Sequence, residues 1–301
     1  MHVSLKVDVD TYRGTLEGVP ALLRLFDEFQ IRATFLFSLG PDHTGRALRR
    51  VFRPGFLSKV RRTSVASNYG LKTLLYGVLL PGPHIGRKAG DILRSVAEAG
   101  HEVGIHCHDH VRWQDFVAGR DAIWTRREMM SAGSVFQQVF CRPARVHGAA
   151  GWQLNSHALA IEDEMGFTHA SDVRGRYPFL PVFQGVESRC VQIPTTLPTL
   201  DELIGRDGID SGNVHEYVYA DSLRILPYGH VYTLHAELEG MQLLPVMRRL
   251  LTMWQSQGGR LGALEDLFND LQLSALPRNR LGWGQVEGRS GQLVMQGQRL
   301  E

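Results

Sequence analysis

Residues 106–110 carry His106, His108, Asp109 and His110, inside the stretch HEVGIHCHDHVRW (101–113). Imidazole is the commonest protein ligand for metals, and histidines beside a carboxylate after a short apolar run (Val103, Gly104, Ile105) have the composition of a metal site. A histidine-rich surface turn has the same composition, so this cluster does not decide alone. A second one adds weight: Asp8 and Asp10 close another strand-like run, in which Val3, Leu5, Val7 and Val9 alternate with Ser4, Lys6, Asp8 and Asp10. That alternation places both carboxylates on one side of a strand. A carboxylate with two histidines leaves positions open for water and substrate, as catalytic rather than structural metal sites do.

The elements around these clusters follow one pattern. After the first strand, a helix to about Gln30 and a buried strand over 31–39 suggest a parallel sheet. Helices are expected near 91–99, 120–140, 155–165 and 213–226, with a last helix and strand over about 243–261. Charged or polar residues recur just past strand-like runs: Asp8 and Asp10, His106 and His110, Asp172 and Arg174 in SDVRG, and His235 in VYTLHAE. In a parallel α/β barrel such strand ends converge on one face, where active sites lie. The reading is therefore a distorted parallel (β/α) barrel spanning residues 1–275. A Gly/Gln/Arg-rich tail, 276–301, reads as poorly ordered.

Composition sets the outer limits. A chain of 301 residues with 43% hydrophobic and 21% charged residues has ample material for a core. No apolar run approaches the ~18 residues of a spanning helix, and the N-terminus lacks a secretory pattern. Three scattered cysteines show no disulfide or metal spacing, which fits a reducing, cytosolic setting. Charge is unevenly placed. Residues 43–90 hold ten Arg or Lys and no acid, so the rest of the chain carries −8 against a whole-chain +2. Apolar side chains are interleaved with the basic ones, including Phe52, Phe56 and Leu57 beside Arg49, Arg50 and Arg53. This basic, apolar helical insertion suits an anionic membrane interface. No nucleic-acid motif accompanies it, so nucleic acid is not an expected partner.

At these residues the chain resembles the polysaccharide-deacetylase (NodB-type) superfamily. Within it the chain is most similar to the deformylases acting on 4-deoxy-4-formamido-L-arabinose carried on undecaprenyl phosphate. The matching stretches include VDVDTYRGTLEGVP (7–20), FSLGPDHTGRALRR (37–50), HEVGIHCHDH (101–110), AAGW (149–152), SDVRG (171–175), QIPTTLPTLDELIGRDG (192–208) and YTLHAELEG (232–240). They span most of residues 1–265 in family order.

The resemblance implies a metal-dependent hydrolysis of the formamide to amine and formate. That step belongs to lipid A aminoarabinose modification, and hence to resistance against cationic peptides and polymyxin. It implies an enzyme placed peripherally on the cytoplasmic face of the bacterial inner membrane. By the same resemblance Asp8 matches the catalytic base and His235 the catalytic acid. Asp172 matches the aspartate that orients that histidine, and Arg174 the cation beside the base. Asp10, His106 and His110 match the metal ligands. The family's arginine-proline motif is not visible here, its region reading HGAAGW, and His108 stands where tryptophan is expected. The ion is one divalent metal, zinc by default, with manganese, cobalt and nickel open. Trp152, Glu237 and Arg206 are expected substrate contacts, and a backbone N–H near Ala149–Ala150 is expected to face the oxyanion. The rival substrate is a soluble N-acetylated amino sugar or oligosaccharide. The rival metal set uses His106 and His108. A lipid-surface binding protein without chemistry is a third alternative.

Overall fold

The computed structural model describes residues 2–47 and 71–301. Phe52, Phe56, Leu57, Arg49, Arg50 and Arg53 lie outside the described residues.

The first strand, β1 (His2–Val9), is buried on both faces, so it is central in its sheet. On one edge it pairs in parallel with β9 (His230–His235). On the other it pairs with β2 (Thr34–Ser38) through residues 6–9 and with β10 (Arg260–Gly262) through residues 2–4. From β2 the sheet continues, all parallel, through β3 (Glu102–Cys107), β4 (Val146–His147), β5 (His169–Ala170) and β8 (Val191–Gln192). Between β8 and β9 the closure is made by a loop: the N–H groups of Thr196 and Leu197 both donate to the Val231 carbonyl. The result is a parallel sheet curled into an incomplete barrel, as the recurring strand–helix pattern requires.

Helices clothe the outside. Leu22, Leu25 and Phe26 on helix Val19–Glu28, Leu93 and Val96 on Gly90–Glu98, and Val246, Met247, Leu250 and Leu251 on Leu244–Ser256 are all buried at i, i+3, i+4 spacing. Each such Leu or Phe contributes about 1.5–3 kcal/mol of burial. Val3, Leu5, Val7 and Val9 of β1 join this outer core. The other face of β1 carries Ser4, Lys6 and Asp8 into the barrel, all buried. Below them Leu36, Val146, Val191, Ile193 and Val231 close the barrel floor.

The tail departs from expectation. β11 (Arg278–Gly284) and β12 (Leu293–Leu300) form an antiparallel pair that extends β6 (Leu180–Phe183) and β7 (Val186–Glu187) into a four-stranded sheet. Leu281, Leu293 and Val294 are buried there. β12 docks on the barrel through Arg174 N–H to the Val294 carbonyl and Gln296 N–H to the Arg174 carbonyl. The polar composition that reads as disorder belongs to the exposed face of a hairpin held by a few apolar anchors.

Candidate active site

The register of β1 against β9 sets Asp8 directly opposite His235. Three neighbouring segments then deliver the other groups. His106 sits near the end of β3 and points into the barrel. The strand stops at Cys107, and Asp109 caps the next helix by accepting the Arg112 N–H at 3.0 Å. That cap makes His110 the first helical residue, and the turn returns its ring to within 5.3 Å of the His106 ring. Both imidazoles address one oxygen: Asp10 Oδ1 lies 3.3 Å from His106 Nε2 and 3.4 Å from His110 Nε2. His108 takes no part, packing edge-on to His84. Among the described residues two groups have ligand-like spacing, Asp10 with His106 and His110 at the strand ends and His147 with Glu162 and Asp172 deeper in the core; His108 belongs to neither, so no HxH pair forms.

Local contacts fix each member. His106 Nδ1 meets the Gly148 carbonyl at 2.6 Å, which makes Nδ1 the protonated nitrogen and leaves the Nε2 lone pair toward Asp10. Asp10 is held from behind by Glu237, whose Oε1 accepts from the N–H groups of Asp10 (3.1 Å) and Thr11 (2.8 Å) and from the Thr11 hydroxyl. A side chain at Gly14 would reach within 2.0 Å of that oxygen, so the turn requires glycine. Asp42 supports the loop from the other side by accepting the Tyr12 N–H.

Asp10 Oδ1 is buried and makes no hydrogen bond of good geometry, although two nitrogens face it. Burial by itself would raise the Asp10 pKa, but His110 and His106 hold the carboxyl well below the usual range. One carboxylate and two imidazole nitrogens around an orphaned buried oxygen fit a divalent cation of the zinc or manganese type. His235 is half-buried, with Nδ1 unpartnered and its backbone N–H on Glu239 at 2.9 Å. Burial lowers its pKa, yet Asp10, Asp201, Glu239 and Asp8 together raise it.

Several expected partners are elsewhere. Asp172 does not meet His235. Its Oδ1 accepts the Ala149 N–H at 2.7 Å and lies 2.9 Å from His147 Nδ1, while Gln192 binds Oδ2. The Ala149 N–H, expected to face an oxyanion, is thereby occupied. Arg174 does not meet Asp8; its guanidinium binds Glu202 at 2.8 Å and the Leu197 carbonyl at 2.9 Å. The cation beside Asp8 is Lys6, whose Nζ is 3.5 Å from Asp8 Oδ2 and donates to the Ser171 carbonyl at 2.8 Å. Two residues apart on one strand, both side chains share the inner face, a signal already present in KVD.

Trp152, expected to stack on sugar, is buried, donates to Thr195 Oγ1, and is surrounded by Arg289 (4.1 Å), Arg174 (5.2 Å) and Lys6 (5.3 Å). Arg289, from the tail, carries no motif and was not legible as a site neighbour. Glu237 is a support for Asp10 rather than an exposed substrate contact. Arg206 is ion-paired to Glu287 on the outside.

The fold is that of the polysaccharide deacetylases. The solved structures agree on the fold. A Mycobacterium smegmatis protein solved as a candidate polysaccharide deacetylase superposes with a TM-score of 0.65 at 17% identity, over 95% of this chain and 94% of that one. A probable polysaccharide deacetylase from Pseudomonas aeruginosa PAO1 gives 0.60 at 14% identity over 89% of each. No family model matches.

Curated relatives narrow this further. The probable 4-deoxy-4-formamido-L-arabinose-phosphoundecaprenol deformylase ArnD of Shewanella sediminis (strain HAW-EB3) is 35% identical over 296 residues, 98% of this chain and 94% of that protein. Its namesake from Wigglesworthia glossinidia brevipalpis is 30% identical over 285 residues, 94% and 98% of the two chains. The chain belongs to the ArnD deformylase family and is a hydrolytic, amide-cleaving enzyme.

Proposed function

We propose that the chain hydrolyses the formamide of 4-deoxy-4-formamido-L-arabinose-phosphoundecaprenol to the 4-amino sugar lipid and formate. The observation that carries this reading is the convergence of Asp8, Asp10, His106, His110 and His235 on one end of the barrel, in a chain related to ArnD proteins over nearly its full length. Asp10, His106 and His110 hold one divalent ion, zinc by default. When bound, that ion polarises the amide carbonyl and makes a water acidic near neutrality.

The chain's own groups do the rest. Asp8, opposite His235 in the register, receives the proton of the attacking water through Oδ1, since Oδ2 faces Lys6. Lys6 supplies the counter-charge that the resemblance assigned to Arg174. His235, as imidazolium, returns a proton to the departing amine nitrogen, so acid and base approach the scissile C–N bond from two strands. Formate leaves and the amine is freed.

The lipid tail of this substrate requires an interfacial enzyme, placed on the cytoplasmic face of the inner membrane. No helix among the described residues is long and apolar enough to cross a membrane. The described flank of the basic insertion supports docking instead. Val78 and Leu79 are 56% and 76% exposed, with Leu75 and Leu80 beside them. This apolar tip is tied to the site: the Gly45 N–H donates to the Tyr76 carbonyl, and His43 Nδ1 lies 2.6 Å from Asp109 next to His108 and His110. Aliphatic residues on an acid-free, basic segment match an anionic lipid surface.

The test is product identity. The protein is incubated with the formamido-arabinose lipid in detergent micelles and, separately, with soluble N-acetylated amino sugars. Formate from the first and no acetate from the second is the expected result; acetate alone would move the chain to the soluble-sugar deacetylases.

A further inference from the structure

We infer that His147, Glu162 and Asp172 form a buried clamp whose task is to position His106. The inference rests on the metal-site reading of His106 but concerns groups that touch neither ion nor substrate.

The three side chains come from separate elements: the end of β4, the helix Ser156–Met165 and the segment after β5. All three are buried, Glu162 and Asp172 completely. His147 Nδ1 lies 2.8 Å from Glu162 Oε1 and 2.9 Å from Asp172 Oδ1. Asp172 Oδ1 also accepts the Ala149 N–H at 2.7 Å. Residues 147 and 149 are therefore both fastened to one carboxylate, and the residue between them is Gly148. Its N–H donates to the Ile105 carbonyl at 3.0 Å, and its own carbonyl receives His106 Nδ1 at 2.6 Å. A Cβ at Gly148 would lie 2.3 Å from the Leu36 Cδ1, so a larger residue there would have to displace that buried side chain.

The direction of the Gly148 carbonyl decides which imidazole nitrogen of His106 keeps its proton, and so which one faces Asp10. The sheet holds the Gly148 N–H and the His147 carbonyl, but the peptide that carries the Gly148 carbonyl has its N–H end, at Ala149, on Asp172, so the clamp sets its plane. Its charges also balance: burial opposes a proton on His147, but Asp172 and Glu162 reverse this and raise its pKa to about 10. Burial and Asp172 push Glu162 up, while His147 and Gln192 hold Asp172 down against its own burial. A protonated His147, an ionised Asp172 and a neutral Glu162 leave no net charge in the core. Burying three ionisable groups is costly unless they pair with one another, as these three do.

The test compares Asp172→Asn, which keeps an oxygen for the Ala149 N–H, with Asp172→Ala, which does not. Nitrogen-15 NMR of the histidines in the metal-free protein reads the His106 tautomer directly, and chelator competition reads the cobalt dissociation constant. The expected result is a wild-type Nδ1–H tautomer and cobalt affinity within about three-fold for Asp172→Asn. For Asp172→Ala, the tautomer becomes mixed and cobalt binding weakens by about 10–100-fold, the usual effect of losing outer partners of a ligand. Should the alanine variant not fold, His147→Phe removes the donor within the aromatic surroundings of Trp113 and Phe167 and is expected to show the same two changes. A folded Asp172→Ala or His147→Phe protein with the wild-type tautomer and cobalt affinity overturns the inference. If the wild-type protein binds no cobalt, the metal reading fails, and the tautomer measurement still decides the role of the clamp.

Discussion

Asp8 and His235 face each other across two parallel strands, and in the proposed mechanism the reaction divides between them. Asp8→Asn and His235→Ala are expected to lower turnover by about two orders of magnitude or more while the metal content stays at the wild-type level. Near-normal turnover in either variant removes that residue from the mechanism. Lys6 makes a different prediction. With Lys6 and Asp8 both buried at 3.5 Å, Lys6→Met leaves an uncompensated carboxylate in the barrel. It should cost about 3–5 kcal/mol of stability and reduce turnover as well. A denaturant midpoint and turnover equal to wild type would show that the pair does nothing. The clamp gives stability a sign with pH. His147 has a folded pKa raised from 6.5 to about 10, so its contribution is complete below the unfolded value and lost as pH rises through 10. Glu162, raised above its unfolded 4.5, loses stability in the same direction. The metal-free protein should therefore unfold at lower denaturant at pH 10 than at pH 7; an equal or higher midpoint contradicts the assignment. At this scale the sequence showed which residues gather at the strand ends more readily than whom else they touch. The i, i+4 histidines and the DVD pair were readable because local geometry sets them. The partners of Asp172 and Arg174 were not, because contacts across 20 or more residues depend on where β4, β5 and the loop at Leu197 come to rest.

Among the elements, the strands that end in chemistry were legible from alternation and from the recurrence of polar residues just past apolar runs. The C-terminal hairpin was not. β11 and β12 carry few apolar residues, and what orders them is pairing with β6, which no local pattern announces. Its Arg289 meets Glu202 at 2.6 Å and stacks on Trp152, so a segment that reads as a loose tail closes the back of the site. Arg289→Ala removes a part-buried charge-assisted contact worth about 1.5–3 kcal/mol. The expected outcome is a lowered thermal midpoint with metal binding unchanged. An unaltered midpoint would mean that the hairpin rests on the barrel without bracing it.

For the whole molecule, the charge asymmetry and the site orientation belong together. The exposed Leu75, Val78, Leu79 and Leu80 stand on the segment whose hydrogen bonds lead back through His43 to Asp109. On the proposed function, a lipid-anchored sugar entering from a membrane in that direction would meet the end of the barrel where Asp10, His106 and His110 lie. Replacing Val78 and Leu79 together with Ser should remove most sedimentation with anionic vesicles and leave the metal content unchanged. Undiminished sedimentation would exclude this tip as the contact. The central claim is that Asp10, His106 and His110 hold an ion that formamide hydrolysis requires. The most direct test is formate release from the formamido-arabinose lipid before chelation, after chelation, and after adding back zinc, manganese, cobalt or nickel. The expected result is release that stops with the chelator and returns with about one equivalent of a divalent ion. Release that continues in fully metal-free protein would contradict it.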